Sequence, residues 1–270
     1  MSRSAASSVG PGRWAGCRRP NAGREGDFGA LLRRQGERAW RDPVAEDARA
    51  ALAGLPDLLG DRLGVVPSAE ALSHAHDTVR LLGGTRYRAF SPSDTCPDNN
   101  LVTSRGVRFV DFEWGCFRDI VLDAAYFRVP FPACEASFAL PPALAEAMLD
   151  AWRAEIATVW PELDEPDRLQ RRLLDAQLLW VWLCTWWLLP RLIRARAHLR
   201  RDCPVGADAS RSPRTSTALA HYWRELGTAA AAAEHHATAE LAEAVVTALR
   251  ARFPDAPDAL AVYPALRALT

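Results

Sequence analysis

Apolar residues recur three and four positions apart over most of this 270-residue chain, which is the spacing that places them on one face of an α-helix. The second of the predicted helices is expected to be interrupted near Pro56, and the third to begin at Ser68 and end at Gly83 and Gly84. The predicted helices span residues 28–40, 44–63, 68–82, 119–127, 141–159, 165–197, 216–234 and 239–252. We therefore expect a mainly helical protein.

The pattern changes in one short region, where β-branched residues alternate with polar ones. The segments "NLVT" and "VRFVDF" predict two strands, joined across Ser104, Arg105 and Gly106 as a β-hairpin. Upstream of Ser91 there is no series of strands and no Gly-rich phosphate loop. The predicted fold class is mainly α (α+β), with one short β-hairpin.

The two ends of the pattern define the domain organisation. Met1 to about Asp27 is rich in Gly, Ser, Pro and Arg, so residues 1–27 are predicted to be a disordered tail without the apolar stretch of a secretory signal. Residues 28–270 are predicted to form one helical lobe. The apolar run from Leu178 to Leu189 is twelve residues long, whereas a bilayer span needs about 20, so we expect a buried core helix and no membrane partner.

Composition narrows the classes of function. The chain has 33 basic and 33 acidic residues, and this balance gives no overall field that selects nucleic acid or a membrane surface. Every basic residue is Arg, which excludes Schiff-base and lysine-base mechanisms. The six Cys follow no CxxC or zinc-site spacing, so we expect reduced thiols in a cytoplasmic protein.

Three further features have a structural and a functional interpretation. The segment from Cys134 to Asp175 carries nine acidic residues against four Arg, which indicates either a solvated helix face or a site for a cationic ligand. His74 and His76 lie on opposite sides of a helix and His235 in an Ala-rich helix, so we expect solvated side chains rather than a metal site. The tryptophans at 180, 182, 186 and 187 are expected to pack in the core rather than to form a ligand cage.

Three polar residues around the predicted hairpin are of the types that transfer phosphoryl groups. Asp94 and Asn99 lie five residues apart on one loop, and Asp111 begins "DFE" after the strand "VRFV". In phosphoryl transfer one Asp orients the attacking hydroxyl, while an Asn and a second Asp hold Mg²⁺. The same residues also suit a plain turn and surface hairpin, because Asp and Asn favour turns.

The block "SPSDTCPDNNLVTSRGVRFVDFEWGCFRDIVLDAAY" resembles the "HGDxxPxN … DFE … D…D" signature of the aminoglycoside phosphotransferase and choline kinase-like superfamily. The resemblance implies that Asp94 is the catalytic base, that Asn99 and Asp111 bind Mg²⁺, and that Asp123 braces the catalytic loop. It also implies the large helical lobe of the kinase-like fold. The expected cofactors are Mg²⁺ and ATP or another nucleoside triphosphate, and the expected acceptor is the hydroxyl of a small molecule, which the acidic segment would allow to be cationic.

The chain departs from this family pattern at two points. Pro92 and Ser93 stand where the signature has His-Gly, and neither a five-stranded sheet nor a phosphate-pairing Lys precedes the block. The nucleotide-binding small lobe is therefore expected to be missing. Three hypotheses stay open: an ATP-dependent small-molecule phosphotransferase, a catalytically degenerate pseudo-kinase lobe that acts as a binding or interaction module, and the product of a truncated gene. The acceptor, the nucleotide and the oligomeric state are left open.

Overall fold

The computed structural model describes residues 22–34, 42–83, 85–96, 99–104, 106–130, 138–199 and 212–269. The helices are α1 (Glu25–Arg34), α2 (Pro43–Leu63), α3 (Ala69–Asp77), α4 (Val121–Ala124), α5 (Pro142–Ile156), α6 (Pro166–Leu199), α7 (Ser212–Ala232) and α8 (His236–Arg252). Short 3₁₀ turns lie at Thr78–Leu82, Ala125–Phe127, Pro161–Asp164 and Pro264–Leu269. The prediction of a mainly helical fold is confirmed. Residues 1–21 of the predicted disordered tail lie outside the described residues. Helix α1 begins at Glu25, three residues before the predicted start of the helical lobe at residue 28.

Capping residues set the ends of the early helices. Asp42 accepts a hydrogen bond from the backbone N–H of Val44 at 3.0 Å and opens α2, while Gly64, at a φ of 68°, ends it. Ser68 opens α3 as predicted. The predicted interruption at Pro56 is wrong, because α2 continues through it. A proline inside a helix removes one backbone hydrogen bond, and here the buried leucines on either side, among them Leu55, hold the helix in place.

Helix α6 lies at the centre of the core and packs against α2, α4, α7 and the 3₁₀ turns. Trp180 and Trp182 are 2% and 0% exposed, and their indole N–H groups donate to the backbone carbonyls of Leu122 at 2.7 Å and Ala51 at 3.0 Å. A buried indole needs such an acceptor for its single donor. The prediction of core packing is confirmed for Trp180 and Trp182, whereas Trp186 and Trp187 are half-buried and pack against the edge of the core.

By length and composition, one helix in the described part of the chain could cross a membrane, namely α6 over Pro166–Arg194. Of its most apolar 18-residue window, 78% is buried inside the fold. The apolar run from Leu178 to Leu189 lies in this helix and is mostly buried, as expected for a core helix.

The strands form two antiparallel pairs, β1 (Arg88–Ser91) with β4 (Cys116–Asp119) and β2 (Asn100–Thr103) with β3 (Gly106–Phe109). The β2–β3 pair confirms the predicted hairpin. The β1–β4 pair was not predicted, and the helix expected over 119–127 begins only at Val121 because Asp119 belongs to β4. The chain therefore leaves the β1–β4 pair at Ser91, passes through the hairpin and returns at Cys116.

Candidate functional site

The loop after β1, residues 92–96, carries Asp94 and is called the Asp94 loop. Ser93 has a φ of 64°, in the left-handed region that glycine adopts freely and that other residues adopt only when their surroundings hold them there. The backbone N–H of Ser93 donates to the hydroxyl of Ser91 at 3.0 Å. Asp94 is half-buried, and its Oδ1 accepts a hydrogen bond from the backbone N–H of Cys96 at 3.1 Å. The loop is thus tied by its own polar groups.

A buried ion pair lies beneath this loop. Asp123 and Arg118 are each 1% exposed, and the Nε of Arg118 donates to Oδ1 of Asp123 at 2.9 Å. The same carboxylate oxygen accepts from the hydroxyl of Ser91 at 2.9 Å. The carbonyl of Ser93 accepts from the Tyr126 hydroxyl at 2.8 Å and from Arg118 at 3.3 Å. The structure therefore brings Asp123, the predicted bracing residue, into contact with Ser91, which precedes the loop, and with Arg118 of β4, which follows the hairpin.

The protonation of this network suits its role as a set of donors. Burial alone lowers the pKa of Arg118, but the carboxylate of Asp123 outweighs burial and holds the pKa well above its usual range. Burial raises the pKa of the Tyr126 hydroxyl, and it raises the pKa of the Cys116 thiol to about 12. Tyr126 and Arg118 therefore stay protonated and donate to Ser93 over the whole physiological range of pH.

The base of the hairpin brings the other two predicted residues together. The backbone N–H of Val110 donates to the carbonyl of Asn99 at 3.0 Å. The next pair is Asn100, where β2 begins, opposite Phe109, where β3 ends. Asp111 follows Val110 directly, is exposed and has a φ of 58°. The side-chain amide of Asn99 lies 3.5 Å from the carbonyl of Asp94, at the limit of a hydrogen bond. Asp94, Asn99 and Asp111 thus surround one end of the hairpin.

Sequence reasoning missed three residues that hold this site. Arg118 and Tyr126 support the loop from below, and the amide of Asn100 donates to the carbonyls of Thr95 at 3.2 Å and Cys96 at 2.6 Å. One signal was present for Arg118, which lies beside Asp119 inside the otherwise apolar run "CFRDIVL", because charges in such a run indicate buried partners. The sequence offers no comparable signal for Tyr126.

The donor atoms at the hairpin base fit a magnesium ion only in combination with other ligands. Asn99 offers an amide oxygen and Asp111 a carboxylate, and Mg²⁺ takes one or two such ligands together with waters and phosphate oxygens. Within the described ranges no group of three or more His, Cys, Asp or Glu side chains could hold a metal ion. For a nucleotide the fit is poor, because the described residues before Asp94 form helices and the single strand β1, and the chain has no Lys.

Cys96, Cys116 and Cys184 are buried and lie outside any disulfide among the described residues, and the reduced state of the cysteines stays a prediction. Cys116 lies directly under the Asp94 loop, with its sulfur 3.1 Å from the hydroxyl of Ser93. A thiol with so high a pKa is unreactive, so Cys116 packs beneath the loop rather than acting as a nucleophile.

The prediction of a solvated His74 is wrong. His74 is 9% exposed, with Nδ1 2.8 Å from the hydroxyl of Thr238 and Nε2 3.3 Å from Oδ1 of Asp175, and its ring stacks on His235 at 4.1 Å. His235 is exposed at its other face, as expected. The ring of His74 joins α3, α6 and α8, which lie far apart in the sequence.

Comparison with known proteins found no family model and no curated protein that matches the chain. The likeness to the aminoglycoside phosphotransferase and choline kinase-like superfamily therefore stays a prediction that rests on the motif residues.

Proposed function

We propose that this chain carries a kinase-like phosphoryl-transfer site for a small-molecule hydroxyl, in which Asp94 orients the hydroxyl while Asn99 and Asp111 bind Mg²⁺. The observation that supports it best is the backbone around these residues. Ser93 and Asp111 both have positive φ values, 64° and 58°, a conformation that is uncommon for residues other than glycine and that recurs at active sites. The buried Arg118–Asp123 pair beneath the Asp94 loop adds to this support, because it holds the hydroxyl of Ser91 and the carbonyl of Ser93.

Asp94 is suited to the role of base by its hydrogen bonding. Its Oδ1 is held by the N–H of Cys96, while Oδ2 has no hydrogen-bond partner in the described part of the chain. One oxygen thus fixes the carboxylate, and the other is left to accept the proton of a hydroxyl. Because Tyr126 and Arg118 both hold the carbonyl of Ser93, the residue before Asp94 is fixed as well.

Asp111 is suited to the role of metal ligand by its freedom. Its exposed carboxylate makes no hydrogen bond or ion pair with any described residue, so both oxygens are available. A bound Mg²⁺ would neutralise charge on the phosphate oxygens of the ligand. The side chains of Asn99 and Asp111 would hold the ion against one face of the hairpin, next to the Asp94 loop.

We expect turnover by this chain alone to be very slow. Phosphoryl transfer depends on cations positioned in advance around the phosphates, and each major contact of this kind contributes about 10³-fold to the rate. The chain has no Lys, and the described residues before the Asp94 loop supply one strand, β1, which pairs with β4.

A second candidate function is that of a binding or interaction module without catalysis. The surface around the hairpin favours it, because large apolar side chains are exposed beside the site: Leu101 (52%), Val102 (59%), Phe112 (49%) and Trp114 (48%). Large apolar side chains that are exposed close together in the chain are a mark of protein contact. Both candidates use the same hairpin, and binding of a magnesium–phosphate ligand separates them.

The test is calorimetric titration of the purified chain with MgATP and with magnesium tripolyphosphate, which lacks a base and a sugar. We expect both ligands to bind only when Mg²⁺ is present. Asp111→Ala should abolish this binding, Asp94→Ala should retain it, and Asp61→Ala, an exposed carboxylate on α2, serves as the matched control. Loss of binding to the same extent in the Asp94 and Asp111 variants would show that the roles are misassigned. If the unmodified chain bound neither ligand, the phosphoryl-transfer site would be excluded and the interaction module would be the remaining candidate.

A further inference from the structure

Asp111 is the residue of the proposed site that the fold holds least directly. It is exposed, its carboxylate makes no hydrogen bond or ion pair with any described residue, and its φ is 58°. A ligand side chain that is free in this way binds a metal ion well only if the backbone beneath it is fixed, because ordering the backbone on binding weakens the affinity. The support for Asp111 must therefore come from neighbouring residues.

A tight turn follows Asp111 directly. The backbone N–H of Gly115 donates to the carbonyl of Phe112 at 2.8 Å, which closes a turn over residues 112–115 just before β4. A Cβ at Gly115 would lie 2.9 Å from that carbonyl oxygen and 3.0 Å from Cζ of Phe90. A residue with a side chain would therefore displace either the turn or the ring of Phe90. The ring of Phe90 thus lies directly against the turn.

The same ring belongs to a cluster of four phenylalanines. Phe90 of β1 lies opposite Phe117 of β4, with ring centroids 6.0 Å apart, and the ring of Phe112 is also 6.0 Å from that of Phe90. Phe28 of α1 contacts both strand residues, at 5.5 Å from Phe90 and 5.6 Å from Phe117. Aromatic rings attract one another at these separations. The cluster therefore connects α1 and the β1–β4 pair to the residue that follows Asp111.

Helix α1 is attached to the outside of this cluster. None of its residues is fully buried. Glu25 accepts two hydrogen bonds from the guanidinium of Arg88, from Nε at 2.9 Å and from Nη2 at 2.6 Å, and Arg88 also donates to the carbonyl of Phe117 at 2.7 Å. Because α1 lies at the surface, its side chains can be changed without opening the core. Variants in α1 therefore test the cluster separately from the stability of the fold.

We propose that Phe90 is a positioning residue for Asp111, and that Phe28 of α1 supports it. Phe90 acts through the turn at residues 112–115, since its ring packs against Phe112 and Gly115 and so holds the backbone that carries the Asp111 carboxylate. The inference rests on the proposed magnesium site and deepens it. It makes the affinity for Mg²⁺ depend on aromatic contacts between residues that do not touch the ion.

Calorimetric titration with magnesium tripolyphosphate measures the effect on affinity. Phe90→Leu keeps an apolar side chain and removes the ring contact with Phe112, so we expect the dissociation constant to rise about tenfold, the upper range for one aromatic pair. Phe28→Leu should raise it about threefold, and Phe28→Tyr, which retains the ring, should restore it to within about twofold. Leu31→Ala is the matched control, because Leu31 is an apolar residue of α1 that is 50% exposed, and it should leave the affinity unchanged.

Amide hydrogen exchange without ligand separates positioning from stability. The N–H of Gly115 reports on the turn, and the N–H of Ile120, which donates to the carbonyl of Tyr87 at 3.0 Å, reports on the end of the β1–β4 pair. We expect Phe90→Leu to speed exchange about tenfold at Gly115 and by less than about twofold at Ile120. Gly115→Ala disturbs the turn while Phe90 stays in place, and it should also raise the dissociation constant about tenfold.

Weaker binding together with faster exchange in the turn alone supports the proposal. Equal acceleration at Gly115 and Ile120 would overturn it, because Phe90 would then only stabilise the sheet. Binding as tight as that of the unmodified chain in Phe90→Leu, or in Phe28→Leu should the first variant fail to fold, would overturn it as well. A different result, no binding of magnesium tripolyphosphate by the unmodified chain, would contradict the proposed function itself, and the positioning role would fall with it.

Discussion

Two regions of this protein are equally hidden from solvent and are held together by opposite means. Around α6, Trp180 and Trp182 fill the core, and each needs only one hydrogen bond to a backbone carbonyl. Beneath the Asp94 loop, Arg118 and Asp123 are buried as an ion pair that holds a serine hydroxyl and a backbone carbonyl. The core would tolerate many apolar sequences, whereas the loop depends on particular donors and acceptors.

The difference bears on the proposed position of the site. The apolar packing of α6 agrees with the local preferences of its residues for a buried helix, so α6 is explained by stability alone. The Arg118–Asp123 pair is charged and buried, and Ser93 beside it has a positive φ. Both features are unfavourable by themselves and are stable only because their hydrogen-bond partners hold them. Such departures are expected where a protein positions a reactive group, which is why the Asp94 loop is the preferred site.

The largest expected effect is that of Arg118→Met, which tests the polar network beneath the Asp94 loop. Removal of the guanidinium leaves Asp123 buried without its charge partner, so we expect a loss of about 3–5 kcal/mol in the free energy of unfolding. Urea denaturation measures it. The double variant Arg118→Met with Asp123→Leu should recover part of the loss, since the unpaired charge is gone. A change below about 1 kcal/mol in the single variant would contradict the role of the pair.

Trp182→Phe tests the apolar side of the comparison. The smaller ring gives up the hydrogen bond to the carbonyl of Ala51 and leaves a gap in the core, so we expect a loss of about 2 kcal/mol in the free energy of unfolding. Magnesium-dependent binding at the hairpin, measured by calorimetry, should be unchanged. An effect on that binding as large as the effect of Arg118→Met would remove the distinction between the two regions.

Tyr126→Phe should have a smaller effect on stability and a selective effect on the loop. The variant deletes the 2.8 Å hydrogen bond to the carbonyl of Ser93, while Arg118 still donates to the same oxygen. We expect a loss of about 1 kcal/mol in denaturant unfolding. Amide hydrogen exchange should become faster at residues 93–96 and stay unchanged in α6. Uniform exchange across both regions would count against a positioning role for Tyr126.

The smallest expected effect is on pH dependence and concerns His221 on α7. Burial lowers the pKa of His221, while Glu225 raises it and Arg224 lowers it. His221 lines a cavity between α5, α6 and α7, whose wall also includes the titratable or charged residues Glu146, Asp167, Arg171 and His235. The unfolded state then binds more protons below about pH 6.5, the ordinary value. Stability should be complete above that pH and fall as pH decreases. His221→Asn should flatten the fall in melting temperature between pH 7 and 5, and an unchanged slope would contradict it.

Local features of the fold could be predicted from the sequence, and long-range pairings could not. Ser68 opens α3, Gly106 ends the hairpin turn, and α6 follows its apolar spacing. The β1–β4 pair joins four-residue strands across the whole site, which no local pattern reports. His74 is buried because Asp175, about a hundred residues later, faces it.

The candidate site shows the same division. Asp94, Asn99 and Asp111 could be proposed because their order and spacing carry chemical meaning, and the hairpin register then brings them to one end of the strands. Tyr126 and Asn100 could not, because a phenol and an amide that donate to loop carbonyls have no spacing of their own.

The most direct test of a metal site at the hairpin replaces Mg²⁺ with Mn²⁺, which takes the same oxygen ligands and broadens nearby NMR signals. In the presence of tripolyphosphate we expect Mn²⁺ to broaden the backbone signals of Asn99, Asp111 and their neighbours selectively, and to leave those of α6 and α8 sharp. In the Asp111→Ala variant the broadening should disappear. Broadening that persists in that variant, or that centres on another part of the chain, would contradict a metal site formed by Asn99 and Asp111.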